Sequence, residues 1–300
     1  MKIFVAGHSG LVGSEILRRI IDSGHEAVFA SRSELDHENR DLVFNFIERE
    51  KPDAVIIAAA VVGGIKANME RPVDFLSKNL QIQTNLIDAC HHAQVKHVIF
   101  LGSSCIYPKF ADQPIKEDSL LTGPLEPTND AYAIAKIAGV KLINSYNRQY
   151  GTQWLSLMPT NVYGQRDNFV NDDSHVMPAL IRKITAAKTN QDPKVMLWGT
   201  GEPLREFIHA KDLADAVYFL LMEMPTQLEL VNVGTGEEIS IRDLASIIAD
   251  EVGYSGQIVF DASMPDGTPR KIVDSSILYD LGWRPKIDLR SGVRGIIGQL

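Results

Sequence analysis

Three features of this 300-residue chain predict an α/β fold, a doubly wound parallel sheet with a smaller region toward the C-terminus. An apolar run at the N-terminus leads directly into a glycine-spaced turn and then into an amphipathic stretch. Apolar strand-like runs alternate with helix-like segments through the first half. Past Pro159 that alternation gives way to loops and shorter elements.

Lys2-Ile3-Phe4-Val5-Ala6 is the first strand, and Gly7-His8-Ser9-Gly10-Leu11-Val12-Gly13 follows at once. Strand, glycine turn and helix form the context in which such a pattern carries meaning. Gly7 permits the tight turn, Gly10 lets the backbone approach a pyrophosphate, and Gly13 lets the helix pack close on the sheet. The helix N-terminus offers amide donors and positive potential to the phosphates. His8 reads as a residue that positions the backbone of this loop rather than as a catalyst. The second strand, 26–30, runs into Ser31-Arg32-Ser33. An acidic residue there would accept from the ribose 2′-OH of NAD, whereas an arginine accommodates a 2′-phosphate. Arg32 holds that place, so NADPH is favoured over NADH.

A helix over 41–50, an apolar strand over 54–59, a long helix over 73–92 and a strand over 96–101 continue the alternation. Strands apolar on both faces belong to a parallel sheet covered by helices. The proline-dotted stretch 108–127 is a long connection, and long ordered loops tend to be functional. A short strand at 155–158, a helix over 177–188 and a late strand of the main sheet at 231–234 complete the reading. Residues 1–158 are then a Rossmann-type dinucleotide-binding domain to which 206–235 returns. Residues 159–205 and 236–300 form the smaller substrate-binding region.

Composition narrows the function. With 45% hydrophobic and 23% charged residues the chain has an ordinary soluble make-up, and its net charge of −8 argues against nucleic acid as a partner. Two cysteines, Cys90 and Cys105, form no disulfide framework, which fits a reducing cytoplasm. No apolar run reaches the length of a membrane span, no signal peptide precedes the first strand, and no metal site is expected.

The chemistry is carried by Ala131-Tyr132-Ala133-Ile134-Ala135-Lys136, some thirty residues after Ser103-Ser104-Cys105. Tyr132 and Lys136 stand four apart and share a helix face. A lysine ammonium one turn away favours the phenolate, which would bring a phenol of pKa about 10 into working range. A serine from a separate strand end could hold the substrate oxygen on which the tyrosine acts. This apparatus moves a proton at a carbonyl or alcohol oxygen while hydride moves at carbon.

Taken together, the glycine turn, Ser103, Tyr132, Lys136, Arg205-Glu206-Phe207-Ile208-His209 and Leu281-Gly282-Trp283-Arg284-Pro285 resemble the extended short-chain dehydrogenase/reductases that act on nucleotide sugars. Gly102-Ser103-Ser104-Cys105-Ile106-Tyr107-Pro108-Lys109, Leu125-Glu126-Pro127-Thr128-Asn129 and Ser145-Tyr146-Asn147-Arg148-Gln149-Tyr150-Gly151 narrow the likeness. So do Met158-Pro159-Thr160-Asn161-Val162-Tyr163-Gly164, Ser174-His175-Val176-Met177-Pro178-Ala179-Leu180 and Asp266-Gly267-Thr268-Pro269-Arg270-Lys271. They are similar to the branch that epimerises C3 and C5 of GDP-4-keto-6-deoxy-D-mannose and reduces C4 with NADPH. The resemblance implies Cys105 and His175 as the acid–base pair, Ser103 and Tyr132 as enolate stabilisers, and Tyr132 as proton donor to the alkoxide. It implies Lys136 on the nicotinamide ribose, holding the tyrosine pKa low. Leu101, Gly102, Ser103, Ser104, Pro159, Thr160, Asn161, Val162 and His175 would also line the NADPH site. Lys183, Trp198, Arg205 and Asp266 would take GDP, with Arg270 a candidate for the diphosphate. Trp198 could stack on guanine or fill the core of the small region. A homodimer through the helices at 73–92 and 130–150 is the implied assembly.

Two departures stand out: Lys183 is often Arg in this group, and the chain is short between 224 and 230 and after 295. A dehydratase would want an acidic pair where Ser104-Cys105 stands, and a UDP-sugar 4-epimerase would leave Cys105 and His175 without a task. A close rival is GDP-L-colitose synthesis, which epimerises C5 alone. From another class, a catalytically silent NADPH-binding regulator would dispense with Tyr132 or Lys136.

Overall fold

The computed structural model describes every residue except 168, 170–173, 226, 227 and 265. The elements run β1 (Lys2–Ala6), α1 (Leu11–Asp22), β2 (Glu26–Val28), α2 (Arg40–Glu50), β3 (Ala54–Ile57), α3 (Ile65–Glu70), α4 (Asn79–His92), β4 (His97–Leu101), α5 (Asp130–Tyr150) and β5 (Leu155–Pro159). They continue with β6 (Asn161–Tyr163), α6 (Val176–Thr189), β7 (Lys194–Trp198), β8 (Leu204–His209), α7 (Ala210–Glu223) and β9 (Leu230–Val233). The chain closes with β10 (Glu238–Ser240), α8 (Ile241–Val252), β11 (Gln257–Asp261), β12 (Arg270–Lys271), α9 (Ser276–Asp280) and α10 (Leu289–Ile297).

A six-stranded parallel sheet in the order β2-β1-β3-β4-β5-β9 forms the main layer. Its side chains alternate between two apolar layers, as a strand period of two requires. Phe4, Val55, Val98 and Phe100 pack with Val43, Ile47, Leu86 and Val140 of α2, α4 and α5. Ile3, Val5, Ile56 and Ile99 pack on the opposite side with Ile16, Ile20, Leu213 and Val217 of α1 and α7. Each such fully buried side chain contributes about 1.5–3 kcal/mol, so this two-faced burial dominates the stability of the fold. The late strand joins the sheet as expected, with Leu157 opposite Val231.

The smaller region is built around β8, which pairs with β6, β10 and β12, and around the β7–β11 pair. Ile181 and Ile184 of α6 meet Leu244 and Ile248 of α8 in a third apolar cluster. Buried Glu206 ties the two regions: its carboxylate accepts from the amides of Thr235 and Gly236 at 2.7 and 2.8 Å and of Val273 at 3.0 Å.

Three local expectations differ from the structure, the first being the second strand, expected over 26–30, which ends at Val28. The helix predicted over 73–92 is interrupted, because Asp74–Lys78 forms a π-helical turn before α4 begins. Within that turn Phe75 is fully buried, its ring edge-on to Tyr132 at 6.4 Å between centroids. The strand expected over 54–59 ends at Ile57, and the chain then passes beneath the glycine turn. Among the described residues no helix is long and apolar enough to cross a membrane. Exposed apolar side chains at Val73, before α4, and at Ile134 on α5 mark the helices on which the dimer expectation rests.

Candidate active site

Three loops at the carboxyl ends of parallel strands meet at one rim of the sheet, the usual ligand crevice of an open α/β fold. Gly7, after β1, has φ +87°, and a Cβ there would come within 2.6 Å of the Ala59 amide nitrogen. A Cβ on Gly13 would overlap the Gly7 carbonyl oxygen, so α1 can begin this close only with glycine. Gly10 caps α1 without a side-chain bond, and a Cβ on it would meet nothing nearer than 3.5 Å. The first amides of α1 lack intrahelical partners, as at any helix N-terminus, where an anion can be taken. His8 packs its ring on exposed Phe29 at 4.9 Å. Arg32 is exposed beyond β2 and donates to Glu38 at 2.9 Å. At the end of β5, Thr160 and Asn161 direct their side chains to the Glu206 carbonyl at 3.2 and 2.7 Å. Both bonds fasten the end of β5 and the start of β6 to β8.

Ser103, Tyr132 and Lys136 come together as predicted. Ser103 follows β4 and accepts the Cys105 amide at 3.2 Å; its hydroxyl also hydrogen-bonds Tyr132. Lys136 is buried on α5, with Nζ 5.9 Å from the Tyr132 ring centroid. Its ammonium, however, donates to the Leu101 carbonyl at 2.8 Å, and burial draws its pKa down to about 7. The phenol shifts opposite to the sequence expectation: burial, then the nearby Cys105, raises the Tyr132 pKa, and the Ser103 bond only partly opposes this. Desolvation of the phenolate outweighs a lysine whose own charge is desolvated and turned elsewhere.

Cys105 is half-buried across from them. Its sulfur accepts from Lys271 Nζ at 3.2 Å and from Asn129 Nδ2 at 3.3 Å. Burial alone would raise the thiol, but the Lys271 charge and hydrogen bonds from Ser103, Lys271 and Asn129 outweigh it, and the pKa falls. Buried Cys90 shows the contrast, pushed up by desolvation with nothing to oppose it. His175 stands at the N-terminus of α6 and makes no side-chain capping bond. Solvent reaches it through the cleft, yet the surrounding protein desolvates the imidazole and Lys271 repels its charged form, so its pKa is lowered.

The residues expected to take GDP are spread along the smaller region. Trp198, at the end of β7, is 54% exposed, which removes the core-filling reading. Lys183 of α6 places its Nζ 5.4 Å from that ring centroid. Burial lowers the pKa of Arg205 of β8, and the nearby Cys105, Asp266 and Glu126 only partly oppose this. The Asp266 carboxylate accepts from Thr200 N at 2.7 Å and Thr200 Oγ1 at 2.8 Å, which fixes the turn after β7. Arg270 does not face the cleft, because Glu238 takes its guanidinium in two bonds of 2.7 and 2.9 Å.

Residues 3–234 match the NAD dependent epimerase/dehydratase family. The chain belongs to that family. It is 55% identical over 293 residues to the putative GDP-L-fucose synthase 2 of Arabidopsis thaliana, covering 97% of this chain and 89% of the relative. The GDP-L-colitose synthase of Yersinia pseudotuberculosis is 39% identical over 294 residues, covering 98% of this chain and 96% of that relative. A GDP-L-fucose synthetase of Naegleria fowleri, solved with NADP bound, superposes with a TM-score of 0.88 at 26% identity, covering 99% and 92% of the two chains.

Two polar groups at the centre of this epimerase/dehydratase cleft, Asn129 and Lys271, were not singled out from sequence. Asn129 precedes α5 and closes one of the strings that carry the resemblance, but nothing in that string set it apart from its neighbours. Lys271 lies beside Arg270 in a strand of two residues, and composition cannot say which of two adjacent cations faces inward. The pairing of Lys271 with Arg205 and of Arg270 with Leu204 decides it.

Proposed function

We propose that this chain converts GDP-4-keto-6-deoxy-D-mannose into GDP-L-fucose, epimerising C3 and C5 and reducing C4 with NADPH. The observation that carries this reading is the Cys105 thiol, stabilised as an anion beside the Ser103–Tyr132 pair. A plain reductase needs one proton donor at C4 and has no use for a second acid–base group. The C4 ketone acidifies the protons at C3 and C5, since removal of either leaves charge on the C4 oxygen. Cys105 and His175 exchange those protons, and Ser103 and Tyr132 donate hydrogen bonds to the oxygen as charge develops. NADPH, when bound, supplies the hydride that reduces C4. Tyr132 then protonates the new alkoxide, and its raised pKa keeps the phenol loaded for that transfer.

The glycine turn and the first amides of α1 suit the NADPH pyrophosphate. Arg205 and Lys183 suit the GDP diphosphate, and the exposed Trp198 face suits guanine. Inversion at both carbons is favoured over C5 alone, because the fucose synthase relative is 55% identical and the colitose synthase relative 39%. Arg32 would release Glu38 for the 2′-phosphate, so Arg32→Ala is expected to narrow the NADPH-over-NADH preference in Kd about 10- to 100-fold. An unchanged ratio would mean that Arg32 does not read the phosphate.

The whole reading is tested by turnover of GDP-4-keto-6-deoxy-D-mannose with NADPH in D₂O, followed by NMR. GDP-L-fucose with deuterium at C3 and C5 is the expected product. Reduction without exchange would make the chain a simple 4-reductase, and exchange at C5 alone would favour the 3-deoxy substrate.

A further inference from the structure

We propose that Lys271 is a positioning residue for the acid–base chemistry, its ammonium holding the Cys105 sulfur in the cleft as the proton-accepting thiolate. This rests on the epimerase reading above for its catalytic meaning, though the contact itself does not.

Lysine side chains at a surface usually sample many conformers, but this one is fixed from its backbone outward. Strand β12 pairs in parallel with β8, setting Lys271 beside Arg205. Just beyond it, the Ile272 amide donates to Gln113 Oε1 at 3.0 Å and the Val273 amide to Glu206 Oε2 at 3.0 Å. The Ile115 amide donates back to the Ile272 carbonyl at 2.9 Å. Consecutive residues of a strand point to opposite faces, so Arg270 turns out to Glu238 while Lys271 turns in to Cys105.

The groups around the sulfur all support the anion or stay neutral. Ser103 and Asn129 donate hydrogen bonds, and Arg205 contributes a second positive charge from β8. Tyr132 of α5 lies near as a protonated phenol, and His175 of α6 shares the Lys271 field. Glu126, the carboxylate on this wall, is engaged by Lys109 at 2.9 Å. One cation thus acts on both members of the acid–base pair, favouring the thiolate as base and making the imidazolium a readier proton donor. In the epimerisation step the thiolate takes a proton next to C4, an S–H bond forms, and the C–H electron pair passes to the C4 oxygen. His175, as imidazolium, delivers a proton to the opposite face of that carbon while the electron pair returns from the C4 oxygen and the ketone reforms; exchange with solvent then reloads the imidazole and removes the S–H proton.

The assignment is tested without substrate by the pH dependence of iodoacetamide alkylation at Cys105, read by peptide mass spectrometry. Fully buried Cys90 serves as the unreactive internal reference. An opposite charge this close typically moves a pKa by about 1–3. Lys271→Met is therefore expected to move the alkylation midpoint upward and to slow alkylation at pH 7 about tenfold or more. Lys271→Arg should stay near wild type, and Lys271→Gln, which keeps a donor but no charge, should resemble Lys271→Met and serve in its place if that variant does not fold. The acid limb of deuterium exchange should move upward in the same variants. An unchanged midpoint in Lys271→Met or Lys271→Gln, with only KM altered, would overturn the proposal and make Lys271 a binder of the substrate diphosphate. A raised midpoint in a protein that forms no GDP-L-fucose would instead remove the proposed reaction and leave the thiolate assignment standing.

Discussion

Tyr132→Phe is expected to lower C4 reduction about 100- to 10,000-fold, the usual worth of a placed general acid. The change removes the one phenol that hydrogen-bonds Ser103 in the cleft while keeping the ring that packs against buried Phe75. Folding and cofactor affinity should therefore survive. Because burial raises the Tyr132 pKa, the phenol stays protonated through the neutral range, and wild-type reduction should decline only as pH rises toward its ionisation. Single-turnover oxidation of NADPH on an already epimerised keto-sugar isolates this step from proton exchange. A variant that reduces at the wild-type rate would show that another group donates the proton. A silent binder would show turnover with neither protein.

Cys105→Ser and His175→Asn should cost about as much, about 100- to 10,000-fold, in a different step. A serine hydroxyl at the Cys105 position would meet the same Lys271 and Asn129 donors, but an alcohol ionises far less readily than a thiol of pKa about 8.5. Deuterium exchange at C3 and C5 should fall much more than cofactor affinity. The sign of the pH dependence follows from the lowered pKa values of both groups. The thiolate base is present above the lowered Cys105 pKa, so wild-type exchange should weaken as pH falls through it, and should weaken again as rising pH empties the His175 imidazolium that serves as acid. Intact inversion at both carbons in both variants, with normal cofactor binding, would sink the two assignments.

The cofactor cradle was legible because every part of it is local. Gly7, Gly10 and Gly13 are spaced within one strand-turn-helix unit, and at Gly7 and Gly13 the structure leaves no room for a Cβ. Tyr132 and Lys136 share a face through helix periodicity alone, and Ser103 falls at a strand end set by the apolar run before it. The π-helical turn at Asp74–Lys78 was hidden, because its composition continues that of α4.

Amino-acid order by itself determined the α/β class, the glycine turn between β1 and α1, and the residue types that meet in the cleft. Tertiary structure alone decided their electrical state. Lys136, read in sequence as the group that lowers Tyr132, is desolvated and bound to the Leu101 carbonyl, and so cannot offset the burial of the phenol. Register decided the other point. Arg270 and Lys271 are both basic and adjacent, and a one-residue slip along β8 would exchange their faces. The pairing with Arg205 sends Lys271 to Cys105 and leaves Arg270 with Glu238, a choice that depends on contacts at least 32 residues apart in the chain, beyond the reach of local spacing.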